Sequence, residues 1–152
     1  MVLLEHDGDL GAAAPDQANG DIRRARVVYS EHRITGSIDF AALDRPDARL
    51  IVGVDLRWKD AVQYRYGELV ISASARRPEG VARFSGDGRC ASAHHIDYEN
   101  NRVTFSVPSS CLGDPPWIQT IAGAFVRARH SGGYGWLDTS PDERYGPRIH
   151  RG

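Results

Sequence analysis

The densest group of residues able to move protons is His94-His95-Ile96-Asp97. On a strand, side chains alternate faces, so His95 and Asp97 share one face while His94 shares the other with Ser92. An imidazole oriented by a carboxylate is part of a hydrolase site, which also needs a nucleophile within hydrogen-bond reach. Neighbours along one strand rarely reach that geometry, and one His with one Asp does not fill a metal site. The ordinary reading is an exposed polar stretch of strand, with a hydrolase using His95 and Asp97 as the alternative.

Hard oxygen donors on loops come next. Asp16, Asn19 and Asp21 flank the start of the patterned sequence, and Asp138 and Asp142 lie near its end. Such oxygens suit Ca²⁺. No EF-hand spacing is present, and Asp and Asn are also common turn residues. A structural calcium ion at Asp16, Asn19 and Asp21 is therefore the one cofactor considered. Ser109 and Ser110 lie outside any GxSxG elbow and read as turn hydroxyls, and the Gly86-Asp87-Gly88-Arg89 run precedes no helix that could hold a phosphate.

Flat rings offer a different chemistry, because exposed aromatics stack on sugars and bases. Trp58, Tyr64 and Tyr66 gather around one predicted hairpin and are the ligand-binding candidates; Tyr134, Trp136 and Tyr145 lie in the tail. The competing reading places Trp58 and Trp117 in the core or at its rim. Paired carboxylates for glycoside hydrolysis would have to come from different strands, whose separation a sequence does not give.

The elements that must position these residues are strands. Leu50, Val52, Val54 and Leu56 recur at a spacing of two, as do Ile34, Gly36, Ile38 and Phe40, and again Val103, Phe105 and Val107. Ser30-Glu31 turns one hairpin and Glu99-Asn101 another, Gly67 marks a bulge or tight turn within 62–74, and Arg76-Gly80 turns the chain again. Residues 117–130 fit neither period cleanly and are read as strand, with a helix as the alternative, from Pro115-Pro116 before them and their β-branched content. Eight or nine short strands without a long amphipathic helix predict an all-β, antiparallel β-sandwich, jelly-roll or immunoglobulin-like. Residues 1–20 read as a leader or linker, and 21–152 as a single domain with an irregular C-terminal tail.

Composition limits the partners. The 19 basic and 20 acidic residues nearly cancel, so no global field draws nucleic acid or an anionic membrane, and a strongly electrostatic partner is not expected. No apolar run reaches the ~20 residues of a membrane span. The first 21 residues carry acids where a signal peptide would carry Lys or Arg, although a removed leader replaced by an initiator Met would read the same. Cys90 and Cys111, the only two cysteines, are too few for structural zinc, which leaves a disulfide or two free thiols. Their place at the outer ends of a hairpin favours the bridge, which would stabilise the fold by about 3 kcal/mol and imply an oxidising compartment.

The run RVTFSVPSSCLGDPPW at 102–117, with GDIRRARVVY at 20–29 and Cys90 upstream, resembles small secreted actinobacterial proteins of unassigned function. The resemblance covers about residues 21 to 125 and implies export and a Cys90 to Cys111 bridge, but no activity. More loosely, the opening hairpin and the long alternating strand are similar to carbohydrate-binding or DOMON-type sandwiches, a likeness of architecture alone. These readings converge on a secreted or extracytoplasmic, non-catalytic binding module directed at carbohydrate. The alternative outside that class is a structural or assembly protein that pairs with other protein.

Overall fold

Alternation at a spacing of two needs a partner sheet for its apolar face, and the chain provides one. The computed structural model describes residues 2–4, 10–85, 90–127, 135–140 and 144–152. Its strands are β1 (Val2–Leu4), β2 (Leu10–Ala13), β3 (Ile22–Tyr29), β4 (Arg33–Phe40), β5 (Arg49–Lys59), β6 (Tyr64–Ser74), β7 (Arg77–Ser85), β8 (Ala93–Asp97), β9 (Arg102–Pro108), β10 (Trp117–Arg127), β11 (Gly135–Ser140) and β12 (Ile149–His150). The larger sheet runs β2-β1-β11-β10-β5-β6-β7, with β12 paired to the start of β10; the smaller runs β3-β4-β9-β8. Every strand pairing is antiparallel. The fold is the antiparallel sandwich that the alternation predicts.

The core lies between the sheets. From the larger sheet come Leu50, Val52, Val54 and Leu56 of β5, then Leu69 and Ile71 of β6, all at most 2 % exposed; the smaller sheet answers with Ile34, Ile38, Val103 and Val107. Each such Leu, Ile or Val contributes about 1.5–3 kcal/mol by leaving water. The ambiguous segment at 117–127 is strand β10, and the reason for its blurred period is visible. Ile118, Ala122, Ala124 and Val126 face the core, while Ile121 and Phe125 on the opposite face are half-buried too. Two partly covered faces erase the apolar-polar alternation.

A disulfide joins Cys90, just before β8, to Cys111 in a short 3-10 turn over Ser109–Leu112 after β9, with the Cα atoms 5.7 Å apart. The hairpin β8-β9 is thus clamped at its open end. Among the described residues, no helix is long and apolar enough to cross a membrane.

Four local expectations change. Residues 1–20, read as a leader or linker, supply β1 and β2 at the edge of the larger sheet, where β1 pairs with β11. Strands of three and four residues are held by backbone hydrogen bonds and are too short to carry a period. The tail, read as irregular, supplies β11 between β1 and β10, its alternation hidden among glycines. Gly67 makes no bulge: β5 and β6 stay in register through it, and its missing Cβ leaves room for the Phe84 ring, whose Cζ would lie 2.7 Å from a β-carbon there. The irregularity instead falls in β7, where Pro78 and Glu79 belong to the strand and Gly80 takes φ +77°, the left-handed conformation that glycine tolerates.

Candidate functional site

Because even-numbered residues of β5 face the core, the odd-numbered ones form the outer face of the larger sheet. The register then orders that face into rows across β10, β5, β6 and β7. One row is Arg127, Arg49, Ser74, Arg77; the next is Phe125, Ile51, Ser72, Val81; then Gly123, Gly53, Val70, Arg83; then Ile121, Asp55, Glu68, Ser85; and last Gln119, Arg57, Tyr66. The face is basic at one end and acidic and aromatic at the other. At ~3.3 Å per residue, Arg49 and Asp55 stand roughly 20 Å apart along β5.

The aromatic end is built around Arg57. Its guanidinium carbon lies 4.3 Å from the centre of the Tyr145 ring and 5.1 Å from that of Tyr64. Its Nη2 donates to Gln119 Oε1 at 2.8 Å, and Gln119 Nε2 donates to the Gly146 carbonyl at 2.7 Å. The buried Nε has no hydrogen-bond partner among the described residues, so cation–π contact holds much of this side chain in place. Tyr66 lies beside Tyr145 with ring centres 6.4 Å apart and remains 61 % exposed. Tyr64 meets the edge of Trp117, over which Arg148 stacks at 4.3 Å.

Next to this platform, Asp55 and Glu68 face each other directly across β5 and β6. Burial raises the Asp55 carboxyl above its ordinary range, and burial followed by the Asp55 charge does the same for Glu68. Tyr145 is raised by burial and then by Asp55, with Arg57 opposing. Two carboxylates that make no ion pair among the described residues are strong acceptors for hydroxyl or amide donors.

The basic end is an open depression of about 850 Å³ lined by Arg49, Arg83, Arg127 and Arg77, with Ile51 and Val70 in its floor. Arg77 meets Glu79 at 3.9 Å. The side chains of Arg49, Arg83 and Arg127 make no ion pair or hydrogen bond with any described residue.

The predicted site residues separate. Tyr64 and Tyr66 are on this outer face, but Trp58 shares the parity of Leu56 and is 8 % exposed in the core; the aromatic partner of Tyr64 is Trp117 instead. His95 and Asp97 also part from the hydrolase geometry. His95 is exposed, and Asp97 accepts from the Asn100 N–H at 3.0 Å and from its Nδ2 at 2.8 Å, which holds the Asp97 carboxyl below its ordinary range and caps a turn. His94 Nε2 contacts the Glu79 carbonyl at 2.9 Å and, with the Tyr98 hydroxyl donating to Pro78 O, links β8 to β7.

Of the calcium candidates, Asn19 Oδ1 accepts from the Asp44 N–H at 2.9 Å, Asp21 lies 3.5 Å from Arg23, Asp16 is exposed, and Asp138 accepts from the Ile22 N–H. Asp142, Tyr134 and the run 86–89 lie outside the described residues. Among the described residues no three His, Cys, Asp or Glu gather as a metal group.

Asp55, Glu68, Arg57, Gln119 and the arginine row escaped the sequence reading. One signal was available: an acid in the middle of the most regular strand, opposite in parity to its apolar set, must face outward. Its pairing with Glu68 depends on register, which alternation alone leaves open. No protein-family model matches the chain, and no curated protein matches it.

Proposed function

We propose that the chain is a non-catalytic, extracytoplasmic binding module that holds a carbohydrate against the outer face of its larger sheet. The observation that carries this reading is the juxtaposition of exposed Tyr66, beside the fixed Arg57-Tyr145 stack, with the open carboxylates of Asp55 and Glu68. A ring covers the C–H face of a sugar, and the carboxylates accept its hydroxyls. Because Gln119 and the two tyrosines already hold Arg57, little side-chain entropy is lost on binding. The disulfide supports an oxidising compartment.

A glycan array followed by titration calorimetry on its hits tests the reading. Tyr66→Ala and Asp55→Asn are each expected to weaken binding by about tenfold or more, whereas Val28→Ser, an exposed position on the smaller sheet, leaves it unchanged. An array without hits, or an affinity indifferent to Tyr66→Ala and Asp55→Asn, overturns it.

A further inference from the structure

We infer that the ligand of this face is an acidic polysaccharide, whose sulfate or carboxylate groups are received by Arg49 and Arg127. The inference rests on the carbohydrate reading and adds the charge of the ligand. Arg49 and Arg127 are direct cross-strand partners, a placement in which like charges repel. Neither has a countercharge among the described residues. Arg83 and Arg77 stand at the opposite wall of the same depression, and the hydroxyls of Ser72 and Ser74 lie between.

Guanidinium groups on both sides of a serine-lined floor suit planar or tetrahedral oxyanions, which they bind through charge-assisted, often bidentate hydrogen bonds. An anion placed there neutralises the repulsion between the two arginines, so its binding is favoured twice, by new hydrogen bonds and by relief of the existing field. The chain's near-neutral net charge does not oppose this, because its charges are segregated on this face.

A nucleic acid fits the same surface less well. Its phosphates would have to run past Asp55 and Glu68 to bring bases onto the rings roughly 26 Å away. An acidic polysaccharide needs only an anionic unit at one end and a neutral sugar ring at the other, so the two ends of the face can be served by different residues of one chain.

The experiment is calorimetric titration of the whole chain with dextran and with dextran sulfate of matched length, and with inorganic polyphosphate as a sugar-free polyanion. Dextran sulfate is expected to bind about tenfold or more tighter than dextran, with an affinity that falls as salt rises. The double variant Arg49→Ser/Arg127→Ser removes that advantage. Arg24→Ser/Arg26→Ser, which takes the same charge from the smaller sheet, keeps it, and thermal melts check that both variants fold.

Equal binding of dextran and dextran sulfate, with Tyr66→Ala still weakening both, overturns the acidic ligand and leaves the carbohydrate reading standing. Polyphosphate binding as tightly as dextran sulfate and competing with it, unaffected by Tyr66→Ala, overturns the polysaccharide itself. Equal losses in the two double-arginine variants also overturn the inference, because the effect is then one of net charge.

Discussion

The outer faces of the two sheets follow opposite charge rules. On the smaller sheet one row runs Arg24, Asp39, Arg102, Asp97 across β3, β4, β9 and β8, with the sign alternating at every step. Arg102 Nε reaches Asp39 Oδ1 at 2.5 Å, and Arg33 Nε donates to Ser106 Oγ at 2.7 Å. On the larger sheet Arg49 stands beside Arg127 and Asp55 beside Glu68, so each of these four charges meets its own kind. The residue types are alike, and register makes the difference. A face whose charges are matched has little left for a ligand, whereas one that opposes like charges is less stable alone and gains from a partner.

The largest test of this contrast removes the clamp on the smaller sheet. Cys90→Ser with Cys111→Ser is expected to lower stability by about 3 kcal/mol, read from the urea midpoint. The preference for dextran sulfate over dextran, at temperatures where the variant remains folded, should be unchanged, because Cys111 lies beside Tyr64 and Tyr66 and away from the depression that holds Arg49 and Arg127. A variant that folds but loses that preference would mean that the two regions are coupled.

A smaller effect comes from reversing one charge on each face. Arg49→Glu turns a repulsive cross-strand pair into an attractive one and should raise stability by roughly 0.2 to 1 kcal/mol, while losing affinity for dextran sulfate. Asp39→Arg on the smaller sheet should act in the opposite direction, placing three cations side by side. Urea unfolding of both variants measures the signs. If Arg49→Glu destabilises, the arginine pair is not under repulsion and the contrast fails.

The sandwich was legible because its core depends on alternation, a property of single strands: Leu50 to Leu56 and Val103 to Val107 declare their buried face without reference to any neighbour. The bridge was legible because only two cysteines exist. The site was not, because it belongs to pairs. Asp55 becomes notable only opposite Glu68, and Arg49 only opposite Arg127, and those meetings are set by register across strands that are distant in sequence. Trp58 shows the converse. Its type drew it into an aromatic cluster, but its parity with Leu56 had already assigned it to the core. Strands β1 and β11 were missed because a short strand on an existing sheet edge is held by backbone hydrogen bonds, which leave little trace in side-chain types.

The acidic end gives the smallest effect and a signature in pH. Burial raises the Asp55 carboxyl, and burial with the Asp55 charge raises Glu68. The folded state therefore holds these protons more tightly than the unfolded state does. As pH rises from the ordinary carboxylate range through the raised folded values, the unfolded chain has already released its protons, and stability falls. Asp60 and Asp97 have lowered carboxyls and act with the opposite sign, so the total profile mixes the two. The difference between Asp55→Asn and the parent chain isolates the pair. The variant should be the more stable at neutral pH, by roughly 0.5 kcal/mol after solvent screening, and the advantage should shrink as pH falls into the carboxylate range. Part of it arises from Glu68, whose carboxyl moves back toward its ordinary range once its neighbour is uncharged. Urea unfolding of both chains over an acidic to neutral series reads this directly. An advantage that does not vary with pH would mean that the two carboxylates do not share a field, and the outer face of the larger sheet would lose its acidic end.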